Sequence, residues 1–180
     1  MNTKVKVIFA PGNGGGKTDE NFFPYLKYEL GKLGCQVIAA VWPDPELARR
    51  SFWIPFLESL GADSNTIIIG HSSGAIAAMK YAETHKLFGS ILISPYASDL
   101  GLESEKVSGY FDDQWQWNSI KNNQKFIIQF SSPSDPHIPI EESRAVAKFL
   151  DAEYHELEDR GHFYPLEEFP EVVEALKKHL

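Results

Sequence analysis

The chain has 180 residues, a formal net charge of −8 at pH 7 and one cysteine, Cys35. This length suits one compact unit, so we expect residues 1–180 to form a single domain. The acidic balance argues against nucleic acid as a partner, because a phosphate backbone would be repelled. A lone cysteine forms no internal disulfide, and no Cys/His spacing resembles a metal site. The apolar run before Pro11 is too short for a signal peptide or a membrane span, and we expect a cytoplasmic protein without membrane contact.

Short apolar runs alternate with longer helical patterns along the chain. This alternation is typical of βαβ units and predicts an α/β fold with a mostly parallel sheet of about six strands and helices on both faces. The predicted strands are Val5 to Phe9, Gln36 to Val41, Thr66 to Ile69, Ser90 to Ser94, Phe126 to Ser131 and Glu153 to Leu157.

Helix start and stop signals fill the gaps between these strands. Pro24 and Gly34 bound the first predicted helix, while Asp44, followed by proline, and Gly61 bound the second. Residues 75–79 are small or apolar and predict a helix that lies close against the sheet. The last helix is predicted from apolar residues on one face, which are Val172, Val173, Leu176 and Leu180.

The least regular segment runs from Pro95 to Asn123 and is rich in aromatic residues. These side chains would either wall a pocket or pack a short helix onto the edge of the sheet, and core packing is the commoner role of aromatic residues. The aromatic residues are Tyr96, Tyr110, Phe111, Trp115 and Trp117.

Residues 70–74 read Gly-His-Ser-Ser-Gly and match the pattern G-x-S-x-G around Ser72. The pattern follows a predicted strand and opens a predicted helix, which is the setting of a nucleophile elbow. In such an elbow the serine has a strained positive φ, and the glycines let strand and helix approach closely. Ser72 is therefore the candidate nucleophile.

A serine nucleophile needs a base, and the candidate is His162, in a loop between the last strand and the last helix. His137 is its closest rival, whereas the side chain of His71 should point away from the elbow. The candidate acid is Asp135, just after the strand that ends at Ser131, with Asp99 as the alternative. Serine, aspartate and histidine then follow one another along the chain in the order found in α/β-hydrolases.

Two backbone N–H groups must stabilise the oxyanion that forms when a serine attacks a carbonyl. The Ser73 amide is one candidate, and the glycine-rich loop after the first strand offers the second, at Asn13 or at Gly14. The same loop ends in Gly16-Lys17-Thr18, which resembles a nucleotide-binding P-loop. However, proline stands at position 11 where that motif has its first glycine, which argues against nucleotide binding.

Taken together, these motifs resemble a family of small serine hydrolases that includes retinoblastoma-binding protein nine and bacterial YdeN. The resemblance covers essentially the whole chain and includes Pro11 to Gly16, Thr66 to Tyr81, Ser108 to Phe111, Trp115 to Trp117 and Gly161 to Phe163. It implies a minimal α/β-hydrolase fold without a large cap domain, with Ser72, Asp135 and His162 at the catalytic positions.

One feature of the family is missing here. Its animal members bind a retinoblastoma-type partner through an L-x-C-x-E segment, and the matching stretch reads Leu60-Gly61-Ala62-Asp63-Ser64. Because both the cysteine and the glutamate are absent, that partner is not expected.

Two functions remain open from the sequence. The first is a serine hydrolase that needs no cofactor and cleaves a small acyl ester or amide, aminoacyl and peptide substrates included, through an acyl-enzyme. The second is a hydrolase-fold interaction module in which the aromatic segment binds a partner and the site is catalytically weak.

Overall fold

A computed structural model describes residues 4–180 of the chain. Across these residues a six-stranded sheet has the strand order β2-β1-β3-β4-β5-β6, and every pairing is parallel. The strands are β1 (Lys6–Ala10), β2 (Gln36–Ile38), β3 (Thr66–His71), β4 (Gly89–Ile93), β5 (Phe126–Ser131) and β6 (Glu153–Glu156). The predicted α/β class and the number of strands are confirmed.

Helices connect successive strands and cover the sheet. They are α1 (Phe23–Lys32), α2 (Arg50–Ser59), α3 (Ser73–Ala82), α4 (Glu103–Ser108), α5 (Trp117–Asn122), α6 (Ile140–Leu150) and α7 (Pro170–Lys177). The longest connection between two strands, residues 94–125, holds only the short helices α4 and α5. The predicted absence of a large cap is therefore confirmed.

The apolar side chains of each strand alternate between the two faces of the sheet. On β1, Val7 and Phe9 contact the cluster formed with α1 and α7, whereas Ile8 and Ala10 contact the cluster formed with α2, α3, α5 and α6. Both faces are thus buried under helices, as the continuous apolar runs predicted.

Helix α3 lies deepest, because every residue from Ser73 to Ala82 is buried. The predicted helix of small residues is confirmed, and its packing depends on Gly74. A Cβ atom at that position would lie 2.1 Å from the Ala10 carbonyl oxygen, so only glycine lets α3 approach β1 this closely.

The predicted start of the second helix is wrong. Helix α2 begins at Arg50, and Asp44 lies in the preceding loop with a φ of 49°. The Asp44 carboxylate binds the backbone amide and the guanidinium of Arg49 instead of capping a first helical turn. The helix can therefore start only after Arg49.

Among residues 4–180, no helix combines the length and the apolar character needed to cross a membrane.

Candidate active site

The chain direction through the sheet reverses between β1 and β3. From β1 the chain moves outward to β2, and it then returns to the other side of β1 to form β3. In open α/β sheets the crevice at such a switch point, beyond the carboxyl ends of the strands, is where ligands bind. The loop after β1 and the turn after β3, which ends in Ser72, both lie at this crevice.

Ser72 is held in an unusual backbone conformation. Its φ and ψ are 54° and −121°, between the end of β3 and the start of α3. A positive φ costs a non-glycine residue about 1–3 kcal/mol, which the surrounding packing must offset. A Cβ atom at Gly70 would lie 2.3 Å from the Gly74 carbonyl oxygen, so the tight turn requires glycine at position 70. The geometry is that of the predicted nucleophile elbow.

Asp135 and His162 are hydrogen-bonded to each other. His162 Nδ1 lies 2.8 Å from Asp135 Oδ2, and the side chain of Asp135 is only 2% exposed. Burial alone raises the pKa of Asp135, but the hydrogen bond and the charge of His162, with two backbone amides, lower that pKa below its usual range. Asp135 is therefore ionised near neutral pH and fixes the His162 ring with the proton on Nδ1.

Ser72 and His162 line the same cavity, whose volume is about 820 Å³. No hydrogen bond joins these two side chains within residues 4–180, and the Nε2 atom of His162 has no partner there. In structures without substrate, the bond between nucleophile and base is often long and tightens only when substrate binds. His162 therefore remains the candidate base for Ser72.

Within residues 4–180, neither of the two alternative residues, His137 as the base and Asp99 as the acid, takes part in a hydrogen bond between a carboxylate and an imidazole. His137 is exposed, and its ring lies 5.0 Å from that of His162, while its backbone amide binds Asp135. Asp99 accepts a hydrogen bond from the Gly101 amide. It is therefore Asp135, and not Asp99, that contacts a histidine.

The loop after β1 lies against the elbow. A Cβ atom on Gly12 would lie 3.4 Å from Ser72 Cβ. The Gly14 amide already donates to the Glu46 carbonyl oxygen at 3.1 Å, whereas the Asn13 amide makes no hydrogen bond in the described part of the chain. The Ser73 amide, at the first position of α3, has no acceptor within the helix. Of the two candidate donors in the loop, Asn13 is the one that is free.

The resemblance of this loop to a P-loop does not extend to its surroundings. A P-loop leads directly into a helix whose N-terminus binds phosphate, but α1 begins only at Phe23. Lys17 pairs with Glu20, and the hydroxyl of Thr18 donates to the Ala40 carbonyl oxygen.

The aromatic segment packs mostly into the core. Tyr96 and Tyr110 are buried, and Phe111, Trp115 and Trp117 pack against the cluster on the α3 face. Of the five, Tyr96 lines the cavity.

His71 has a role that the sequence analysis missed. Its ring does not point away from the site, because its centroid lies 4.7 Å from that of His162 and its Nε2 lies 2.8 Å from the His162 carbonyl oxygen. Burial and the neighbouring His162 lower the pKa of His71 to about 3, so the ring is neutral and its Nε2–H donates to that carbonyl. His71 thereby holds the backbone of the His162 loop.

A signal for this contact was present in the sequence. Ile67, Ile69 and His71 alternate along β3, and the two isoleucines belong to the same cluster as Phe163. Side-chain alternation therefore places His71 on the face where the His162 loop packs. Glu105, a buried carboxylate at the cavity wall, was also missed, and no local pattern marks it.

Among residues 4–180, no three His, Cys, Asp or Glu side chains converge in a way that could hold a metal ion.

The amino-acid sequence is similar to those of two known proteins. The chain is 48% identical to the serine hydrolase RBBP9 of Rattus norvegicus over 183 residues, which covers 100% of this chain and 98% of the relative. It is 29% identical to the YdeN protein of Bacillus subtilis (strain 168), with 97% and 96% covered.

Two solved structures share the fold. The crystal structure of the ydeN gene product from B. subtilis superposes with a TM-score of 0.88 at 25% identity, covering 98% of both chains. Est1E from Butyrivibrio proteoclasticus, solved with ferulic acid bound, has a TM-score of 0.75 at 16% identity, with 98% of this chain and 89% of that chain covered. The family model described as serine hydrolase matches residues 7–178. The chain therefore belongs to the serine hydrolase family and has the α/β-hydrolase fold.

Proposed function

We propose that this serine hydrolase cleaves small acyl esters or amides, aminoacyl and peptide substrates among them, through an acyl-enzyme formed on Ser72. The observation that carries the proposal is the 2.8 Å hydrogen bond between His162 and Asp135 at the cavity that Ser72 also lines. An ionised, buried carboxylate that fixes an imidazole beside a serine on a strained turn is the arrangement that activates a hydroxyl.

In the first half-reaction Ser72 Oγ attacks the substrate carbonyl carbon. The hydroxyl proton moves to His162 Nε2, and Asp135 stabilises the resulting imidazolium through Nδ1. His162 then gives the proton to the leaving alcohol or amine as its bond to the carbonyl carbon breaks. The acyl group remains on Ser72 as an ester.

The negative charge that develops on the carbonyl oxygen needs two donors. The backbone amides of Asn13 and Ser73 support this role, because neither has an acceptor within the described residues. Ser73 follows Ser72 directly, and Gly12, the residue before Asn13, lies against Ser72. Each such donor is worth about 10²–10³ in rate.

In the second half-reaction water attacks the acyl-enzyme. His162 accepts a proton from the water and returns it to Ser72 Oγ as the carboxylic acid leaves. Only protein side chains, backbone amides, substrate and water take part in this cycle, and it uses no cofactor.

The cavity supports a small substrate. Its volume of about 820 Å³ is within the range of ligand sites, and residues 4–180 form no large cap that would enclose a long acyl group. Leu100, Leu102 and Ile138 are among the apolar residues of its wall, which suit the hydrocarbon of an acyl chain.

A panel of short acyl esters and aminoacyl amides tests the proposal, together with a fluorophosphonate probe that labels activated serines. Wild type should turn over at least one class and be labelled, whereas Ser72→Ala should lose both properties. His162→Ala should lose turnover by about 10³-fold or more, since the general base is gone.

The matched control is His137→Ala, which removes an exposed imidazole from the same cavity. It should keep turnover within about threefold, because the ring makes no hydrogen bond in the described part of the chain and the alanine variant keeps the backbone amide that binds Asp135. Equal labelling of wild type and Ser72→Ala would contradict the proposal. Inactivity of wild type on the whole panel would favour the interaction module.

A further inference from the structure

Glu105 is a buried carboxylate at the wall of the cavity. It lies on α4, is 5% exposed, and forms no ion pair among residues 4–180. Buried carboxylates normally have a cationic partner, because removing a charge from water is costly. Two neutral donors bind this one instead. Asn13 Nδ2 donates to Oε1 at 2.8 Å, and Tyr96 Oη donates to Oε2 at 2.7 Å.

The second of these donors, Tyr96, is also hydrogen-bonded to Ser73. Ser73 Oγ and Tyr96 Oη are 3.2 Å apart, and both residues are buried. Burial and the charge of Glu105 raise the pKa of Tyr96 well above its ordinary value, so the phenol keeps its proton. Because Tyr96 has one proton and gives it to Glu105, Ser73 must be the donor in the bond between the two hydroxyls.

The hydrogen bonds therefore run from two directions toward one carboxylate. Ser73 donates to Tyr96, Tyr96 donates to Glu105, and Asn13 donates to Glu105 from the other side. A carboxylate only accepts, so both arms have a fixed direction. Asn13 and Ser73 are also the two residues whose backbone amides we assign to the oxyanion hole.

We propose that Glu105 is a positioning residue that sets the distance between the two oxyanion donors by binding the side chains of Asn13 and, through Tyr96, Ser73. This inference rests on the proposed function, because it concerns the transition state of that reaction. The loop after β1 and the first turn of α3 belong to different parts of the chain, and in this site Glu105 joins them within the protein interior.

The charge of Glu105 cannot itself stabilise an oxyanion, since both are negative. Its effect must come from geometry, and hydrogen bonds that are aimed in advance are what make such donors effective. A glutamine at this position keeps the geometry. Its oxygen accepts from Asn13, and its NH2 group donates to Tyr96, whose proton then turns to Ser73.

Glu105→Ala, which removes both arms, should lower kcat by about 10- to 100-fold and leave KM within about threefold, because donors used only in the transition state are misplaced. Glu105→Gln should stay within about fivefold of wild type. Steady-state hydrolysis of the best ester from the substrate panel measures both variants.

Affinity for a trifluoromethyl ketone gives a second readout. Its adduct with Ser72 carries an oxyanion, so its inhibition constant should rise in Glu105→Ala in proportion to the fall in kcat/KM. A purely structural role of Glu105 would not produce this proportionality.

The matched control is Glu103→Ala, which removes an exposed carboxylate from the same helix α4. It should leave kcat, KM and inhibitor affinity within about twofold of wild type. Thermal unfolding checks that each variant folds. If Glu105→Ala does not fold, Tyr96→Phe tests the inference instead. It removes only the hydrogen bonds that connect Glu105 to Ser73 and should lower kcat by about three- to tenfold.

Two results would overturn the inference while the proposed function stands. One is a Glu105→Ala variant with wild-type kcat. The other is a pair of alanine and glutamine variants that both raise KM and leave kcat unchanged, as expected if the carboxylate binds a cationic group of the substrate. A wild-type protein that hydrolyses nothing on the panel overturns the proposed function and this inference together.

Discussion

Replacing Asp135 with asparagine keeps the shape of the side chain and changes only its hydrogen-bonding capacity. Asp135 Oδ1 accepts from the backbone amides of His137 and Ile138, at 2.9 Å and 3.0 Å. Oδ2 accepts from Ser94 Oγ at 2.9 Å and binds His162 Nδ1 at 2.8 Å. Because backbone amides only donate, an asparagine must place its oxygen at the Oδ1 position and its NH2 group at the Oδ2 position.

The NH2 group of that asparagine would then donate to His162 Nδ1. The ring proton moves to Nε2, and in this tautomer His162 cannot accept the proton of Ser72. We expect kcat to fall by about 10⁴-fold, the size known for a triad held in the wrong tautomer, which corresponds to ~5.5 kcal/mol of lost transition-state stabilisation. KM should change little. Steady-state hydrolysis of a p-nitrophenyl ester measures both constants, and thermal unfolding reports whether the variant folds.

Asp99→Asn is the matched control, because the side chain of Asp99 accepts a hydrogen bond only from the Gly101 amide and binds no histidine in the described part of the chain. It should retain kcat within about twofold, as expected for a change away from the reacting groups. An Asp135→Asn variant that keeps more than a tenth of the wild-type kcat would refute the tautomer argument. So would an Asp99→Asn variant with an equal loss.

Three further outcomes follow from the same structure. Gly74→Ala should lower the free energy of unfolding by about 3 kcal/mol, since its Cβ would lie 2.1 Å from a backbone oxygen of β1. Gly31→Ala in α1, whose added Cβ would meet no atom within 4 Å, should raise the free energy of unfolding by about 0.5–1 kcal/mol. Equal melting temperatures for the Gly74→Ala and Gly31→Ala variants would contradict both expectations. Ser72→Gly should be more stable than Ser72→Ala by about 1 kcal/mol in chemical denaturation, because glycine tolerates a φ of 54°. A glycine variant that is less stable than the alanine variant would argue against strain at the elbow. The hydrogen bond from Arg144 holds the pKa of Glu156 at about 2, so the stabilisation by this pair is full above the unfolded pKa of about 4.3 and is lost as pH falls through 2. Arg144→Gln should therefore flatten the decline of the free energy of unfolding between these pH values. An unchanged decline at acid pH would disprove this linkage.

Much of the fold was predictable because burial on both faces of a parallel sheet leaves a strong apolar signal. The strand at 126–131 was predicted with its observed bounds, and the strand at 66–69 extends in the structure to His71. Predictions were weaker at the edge of the sheet. The strand from Gln36 ends at Ile38, not at Val41, a residue that is 94% exposed. An edge strand pairs with one neighbour only. A β-branched residue beyond its last paired residue, such as Val41, still fits the sequence pattern of a strand although it is not paired.

The candidate site was predictable where chemistry follows directly from local structure. Ser72 was identified from two glycines between a strand and a helix, and the structure gives it the positive φ that such a turn requires. Asp135 and His162 were chosen because each follows a strand, and the carboxyl ends of parallel strands lie at one edge of the sheet. Their mutual contact agrees with that choice.

The sequence by itself determined the succession of strands and helices along the chain, the elbow around Ser72 and the short list of candidate acids and bases. Each of these depends on neighbours a few residues apart. The contact of His71 with the His162 carbonyl joins positions 91 residues apart, and that of Glu105 with Asn13 joins positions 92 apart. Only the tertiary structure decided these contacts. Periodicity reports which face of an element is buried, whereas the partner of a buried polar group depends on how distant loops pack together.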